Sequence, residues 1–149
     1  MDAAYGAYRL GNRESYAAFL IAHARALPAV EGWLADRQMG FAWRARRDAL
    51  SADLAALGRD MPDPCLSIWP MTKPLAGGAL CYRRFTAGRR DAGPAGWGGL
   101  PKAYLESGFG PGEWRDFRHA LDAAAEDDAW IGRAVDAAEQ VFALYGKAA

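Results

Sequence analysis

The sequence predicts an all-α fold, and three observations carry that prediction. Alanine is abundant and β-branched residues are scarce, which favours helix over strand. Apolar residues recur at alternating steps of three and four in several long stretches, the spacing of one helix face. No stretch sustains the two-residue alternation of a half-buried strand. With 149 residues, 52% of them apolar, the chain is sized for one core, and no repeat or linker divides it. A single helical bundle spanning 1–149 is therefore expected.

The first long helix is predicted over residues 13–35. Tyr16, Leu20, His23, Leu27, Val30 and Leu34 form its apolar stripe, and Asn12 is its candidate N-cap. Pro28 lies inside this pattern and should kink the helix, because it removes one backbone hydrogen bond. A second helix is predicted over 43–57. Trp43, Leu50, Leu54 and Leu57 face one way, Arg44, Arg46, Asp48 and Asp53 are expected in solvent, and Gly58 stops the helix. The loop "RDMPDP" follows.

Residues 65–86 read as an apolar helix broken by Pro70 and Pro74, with Gly77 and Gly78 side by side just beyond. From 87 to 112 the chain is rich in Gly and Pro, and a short helical turn is expected at roughly 101–107. A helix over 112–125 has Trp114, Phe117, Leu121 and Ala124 on its inner face and Pro111 at its mouth. The last helix covers 128–146, with Asp127 as cap and Ile131, Val135, Ala138, Phe142 and Tyr145 as its stripe.

Composition excludes some classes of function. Eighteen basic residues balance 18 acidic ones, without the basic excess of a general nucleic-acid binder. No apolar run approaches the ~20 residues of a membrane span, and no signal peptide is visible. Cys65 and Cys81 fit neither a metal spacing nor a disulfide framework, so a cytoplasmic location with reduced thiols is expected. The motif "GPAGWGGLP" lacks the Lys-Ser/Thr ending of a phosphate loop and follows no strand. Glu126, Asp127 and Asp128 read as a helix start rather than a metal site.

Four segments occur in a telling order: "SYAAFLIAHARALPAVEGWL", "RRDALSADLAALG", "LAGGALCYRRF" and "GEWRDFRHALDAAAEDDAWIGRAVDAAEQVFALY". In order and spacing they resemble bacterial haem oxygenases of the short, biliverdin-producing type associated with bacteriophytochromes. The resemblance covers nearly the whole chain. It implies an all-α, haem oxygenase-like helical bundle in which haem lies between a proximal helix and a kinked distal helix. It also implies biliverdin as product and, for an active enzyme, a reductase partner. A distal helix bent at glycines lets bare backbone approach iron-bound oxygen, which a Cβ would prevent.

The chain departs from the family pattern in two places. The family's proximal iron ligand lies in a pattern like H-x-x-L-D, shortly before a segment matched here by "RLGNRESYAAFL". Met1-Asp2 falls on the L-D, so the histidine would precede the first residue and the proximal helix is expected to be truncated or absent. On the distal side, "IWPMTKPLAGGAL" stands where the family reads roughly Y-V-x-E-G-S-x-L-G-G-x-x-L. Thr72 then replaces the first glycine, and Ala76 with Gly77, or Gly77 with Gly78 after a one-residue shift, takes the glycine pair. Either an upstream start restores the histidine, or this is a homologue that has abandoned ordinary turnover. The second reading is preferred, because a misplaced start cannot alter residues 68–77.

Under the resemblance, His23 is a substitute iron ligand; the plainer alternative is a hydrogen-bonded core histidine. His119 is expected to be exposed, and Met71 and Cys81 are soft-ligand candidates that more simply fill apolar space. Arg83, Arg84, Arg89, Arg90, Arg115 and Arg118 are candidate partners of haem or bilin propionates, with Tyr104 offering a hydroxyl. Their plainer reading is a set of solvated helix ends. Trp69 either stacks on a tetrapyrrole or fills its place, while Trp33, Trp43, Trp114 and Trp130 read as core. The functional expectation is a divergent homologue with weak or no haem degradation that binds haem or a related tetrapyrrole. The alternatives are an active enzyme, and a pseudoenzyme that binds a partner or forms a homodimer to cover apolar surface.

Overall fold

The computed structural model describes residues 5–35, 44–65, 99–108 and 111–149. Every regular element among the described residues is an α-helix. These are α1 (Arg13–Ala35), α2 (Arg47–Ala56), α3 (Ala103–Glu106), α4 (Pro111–Ala124) and α5 (Asp128–Ala148). Helix α1 packs against both α2 and α5, and α3 packs against α2.

α1 is the central element. Asn12 caps it: its Oδ1 accepts from Ser15 N at 3.0 Å and its carbonyl accepts from Tyr16 N at 2.8 Å. The Ser15 hydroxyl in turn accepts from Arg9 N at 2.7 Å, which fixes the chain's entry to the helix. All six residues of the predicted stripe are buried. So are Ala17, Phe19, Ala22, Ala24, Ala26, Glu31 and Trp33, so the helix is covered over much more than one face. The helix continues through Pro28. Proline has no N–H for the Ala24 carbonyl, and its ring crowds the preceding turn. The adjacent Arg25 carbonyl takes an external donor, Cys65 N, at 2.8 Å.

α2 starts at Arg47, later than its predicted start, with Arg44–Arg46 leading into it. Leu50, Leu54 and Leu57 are buried as expected, whereas Trp43 lies outside the described residues. Gly58 ends the helix at φ +71°. Gly58 N bonds to Ala55 O at 2.9 Å and Arg59 N to Leu54 O at 2.9 Å, the paired bonds of a Schellman motif. Arg46 and Asp53, expected in solvent, are buried instead at 2% exposure each. The reason is register. Arg46 and Leu50 are four apart, as are Asp53 and Leu57, so both charges share the leucine face.

On α4, Phe117 is buried and Trp114 and Leu121 are half-buried, but Ala124 is exposed, contrary to its predicted place on the inner face. Glu113 in the first turn pairs with Arg44.

α5 begins at the predicted cap, with Asp127 Oδ1 accepting from Trp130 N at 2.6 Å. Of its predicted stripe, Tyr145 is buried and Ala138 and Phe142 are half-buried against the core, but the centre of the buried face lies one residue earlier, ~100° round. The helix buries Ala134, Ala137, Val141, Leu144, Tyr145 and Ala148, and leaves Ile131 and Val135 exposed at 48% and 50%. Two apolar stripes run along this helix. The alanine-rich one faces inward, because small side chains allow close approach to a neighbouring helix.

Candidate functional site

Two adjoining groups of buried side chains lie where α1, α2 and α3 meet. The first surrounds His23. It is 1% exposed, and among the described residues four aromatic rings lie against its imidazole. Phe19 lies 4.1 Å away between centroids, Tyr5 4.9 Å, Tyr104 5.5 Å and Tyr145 5.5 Å. Nδ1 sits 3.0 Å from the Phe19 carbonyl oxygen, one helical turn back. A carbonyl only accepts, so the imidazole carries a proton on Nδ1. Tyr5 is tied to α5 through its hydroxyl, which donates to Tyr145 O at 3.1 Å. Burial, with smaller contributions from Tyr8 and Tyr104, raises the Tyr5 phenol well above its ordinary pKa.

The second group is polar. Asp53 accepts three hydrogen bonds: from Ala103 N at 3.0 Å, Tyr104 N at 2.9 Å and the Tyr16 hydroxyl at 3.2 Å. The first two are orphan donors at the start of α3, so Asp53 on α2 caps a helix about fifty residues away in sequence. Arg46 holds the other end. Its Nε donates to Ser107 Oγ at 2.9 Å, its Nη2 donates to Tyr104 O, and the Ser107 hydroxyl donates to the same carbonyl at 2.8 Å. The guanidinium carbon lies 4.2 Å from the centroid of the Tyr104 ring, a cation–π contact. Glu31 Oε1 accepts from Arg46 N at 2.6 Å.

The tyrosines record this environment. Burial foremost, and then the Asp53 carboxylate, push the Tyr16 phenol far up. Tyr104 is pushed up to about 12 by burial; the Arg46 charge opposes the shift and Glu31 adds to it.

These positions bear unevenly on the sequence candidates. His23 and Tyr104 come together as ring neighbours inside the core. Tyr104 uses its backbone and ring rather than offering an exposed hydroxyl. Arg115 and Arg118 are exposed on α4, as is His119, and Arg115 lies near Asp116 at 3.7 Å. Trp33 is buried; Trp114 and Trp130 are half-buried. Thr72, Ala76, Gly77, Gly78, Trp69, Met71, Cys81, Arg83, Arg84, Arg89 and Arg90 all lie outside the described residues. Among the described residues no group of three or more His, Cys, Asp or Glu side chains could hold a metal ion, and no helix is long and apolar enough to cross a membrane.

A haem ligated by His23 does not fit this arrangement. The hydrogen bond at Nδ1 suits an imidazole ligand, because it fixes the tautomer and leaves Nε2 as the basic nitrogen. A macrocycle, however, must lie flat beside that nitrogen, and the ring is closed in. Glu31, Arg46 and Asp53 were not among the sequence candidates. The signal was present: each stands at a three- or four-residue step from buried leucines, where an exposed charge does not belong.

Comparison with protein-family models, curated proteins and solved structures finds no match to this chain.

Proposed function

We propose that this chain is a divergent haem oxygenase-like helical protein that binds a tetrapyrrole and does not degrade it at an ordinary rate. The ordered set of four sequence segments supports the family assignment, and the helices of the described residues agree with it. The observation that carries the absence of turnover is the enclosed state of His23, the one buried histidine. Under the resemblance Thr72 stands at a distal glycine position, where a Cβ would hinder the close backbone approach that bound oxygen requires.

Titration with hemin and with biliverdin, followed by addition of ascorbate, tests this reading. The expected result is a saturable spectral shift with a Soret band that persists under reductant. Loss of that band with release of bile pigment overturns the absence of turnover. No spectral response to either tetrapyrrole overturns the binding assignment.

Ile131 and Val135, exposed on α5, favour a second reading, a helical protein that self-associates. Light scattering decides it: a dimer that dissociates when both residues become lysine supports this reading, and a monomer at all concentrations rejects it.

A further inference from the structure

We propose that the N-terminal half of α5 is a docking surface for a basic amphipathic helix of another protein. The inference is independent of the tetrapyrrole reading. It shares two residues with the self-association reading and assigns them a different occupant.

Charge is unevenly spread along this chain. Residues 122–139 hold six acidic side chains, Asp122, Glu126, Asp127, Asp128, Asp136 and Glu139, against one basic one, Arg133. Their net charge is −5 in a chain that is neutral as a whole. All seven are exposed, and among the described residues none of them is in an ion pair. The helix start accounts for Asp127 and Asp128. Asp127 caps the Trp130 N–H, and negative charge there meets the positive end of the dipole. Asp136 and Glu139 stand two to three turns further on, where that field has faded.

The same face carries apolar residues. Ile131 and Val135 are the exposed large hydrophobics among the described residues, at 48% and 50%. At ~100° per residue, Ile131, Val135, Asp128 and Glu139 fall within an arc of ~80°, and Asp136 borders it. Arg133, the one base, lies ~160° round from Ile131. From Asp128 to Glu139 the stripe therefore reads acid, apolar, apolar, acid over ~17 Å, or about three turns.

That pattern selects its occupant. A helix with an aliphatic seam covers Ile131 and Val135, and Lys or Arg on its flanks meets Asp128, Asp136 and Glu139. A second copy of α5 fits worse. Antiparallel pairing of Ile131 with Val135 sets Glu139 against the acidic start of the other copy's helix, and parallel pairing sets each carboxylate against its own counterpart. A contact three turns long is small, so the complex is of the transient kind.

Amide NMR of the whole chain, titrated with synthetic peptides, tests the proposal. The first peptide is an amphipathic helix with a leucine seam and lysines on both flanks. A second carries glutamate in place of lysine, and a third carries serine in place of leucine. The expected result is saturable shifts centred on residues 128–139 with the first peptide alone, weakened about fivefold when ionic strength rises from about 50 to about 300 mM. Ile131→Ser combined with Val135→Ser is expected to weaken binding about tenfold, and Asp136→Asn combined with Glu139→Gln about threefold. All four side chains are exposed, so the Tm of both variants should match wild type. Absence of saturable binding overturns the proposal. So does equal binding of the serine peptide, which reads charge alone, or unchanged affinity of the Ile131→Ser, Val135→Ser variant. Two other occupants would overturn it as well. A dimer in light scattering that dissociates in that variant assigns the face to a second copy. Nuclear Overhauser contacts from the Ile131 or Val135 methyls to residues 66–98 in the free protein assign it to this chain.

Discussion

Asp53→Ala is the substitution whose cost the geometry defines best. The carboxylate is 2% exposed and receives three donors. Removing it leaves Tyr104 N and the Tyr16 hydroxyl buried without their acceptor. Ala103 is exposed, so water can replace the carboxylate at its N–H. Each buried orphan costs about 1–3 kcal/mol, and relief of the carboxylate's own desolvation offsets part of the sum. The net loss is on the order of 3 kcal/mol, or roughly 10 °C in Tm for a chain of this size. Urea unfolding at neutral pH, monitored by circular dichroism, measures it. Tyr16→Phe removes one of the three bonds from the other side and should cost about 1 kcal/mol. The two changes share that bond, so the double variant should be less destabilised than the sum by about 1 kcal/mol. A midpoint for Asp53→Ala within ~0.5 kcal/mol of wild type, or strict additivity with Tyr16→Phe, would refute the trans-capping role.

Further outcomes follow from other parts of the fold. Gly58→Ala should cost about 1 kcal/mol through backbone strain alone, because φ is +71° while an added Cβ would meet nothing within 4 Å; equal unfolding midpoints would contradict the Schellman turn. Leu144→Ala should cost about 2–5 kcal/mol, and Ile131→Ala less than about 0.5, because only the first is buried; the reverse order would return α5 to its predicted stripe. Alkaline titration should destabilise the protein. Tyr104 holds its proton up to about pH 12 when folded but ionises near 10 when unfolded, so the native state binds more protons in between. Its contribution is complete below pH 10 and is lost as pH rises toward 12, amounting to roughly 3 kcal/mol. Tm measured from pH 9 to 12 should fall across that window, and Tyr104→Phe should flatten the fall.

Local rules made α1 legible from sequence. Its stripe, its Asn12 cap and its bounds follow from spacing and side-chain chemistry within one element, and packing on several sides agrees with them. The Gly58 stop, the Asp127 cap and the short turn at α3 were legible for the same reason. α5 was misread because two apolar stripes compete there, and the bulkier one drew the inference. Which face turns inward depends on how closely a partner helix approaches, which no single helix encodes. The polar cluster failed for a related reason. Asp53 and Arg46 have meaning only with α3 beside them, and the partner atoms are backbone groups of residues far along the chain. His23 was visible as a candidate by type, but the four rings described against it come from four separate stretches of sequence.

The connection from α2 back to α1 has an engineering consequence. At one end the turn at Gly58 and Arg59 fixes the chain; at the other, Cys65 N is seated on the Arg25 carbonyl, at the helical turn that Pro28 loosens. Arg59 adds a contact to Glu14. Residues 60–64 therefore bridge two anchored points, and Asp60 and Asp63 lie in solvent. A peptide tag or fluorophore spliced between them can balloon outward without shifting either mooring, at a closure cost that grows only slowly with its length. A proline that interrupts a ladder of hydrogen bonds thus marks a tolerant doorway for a reporter.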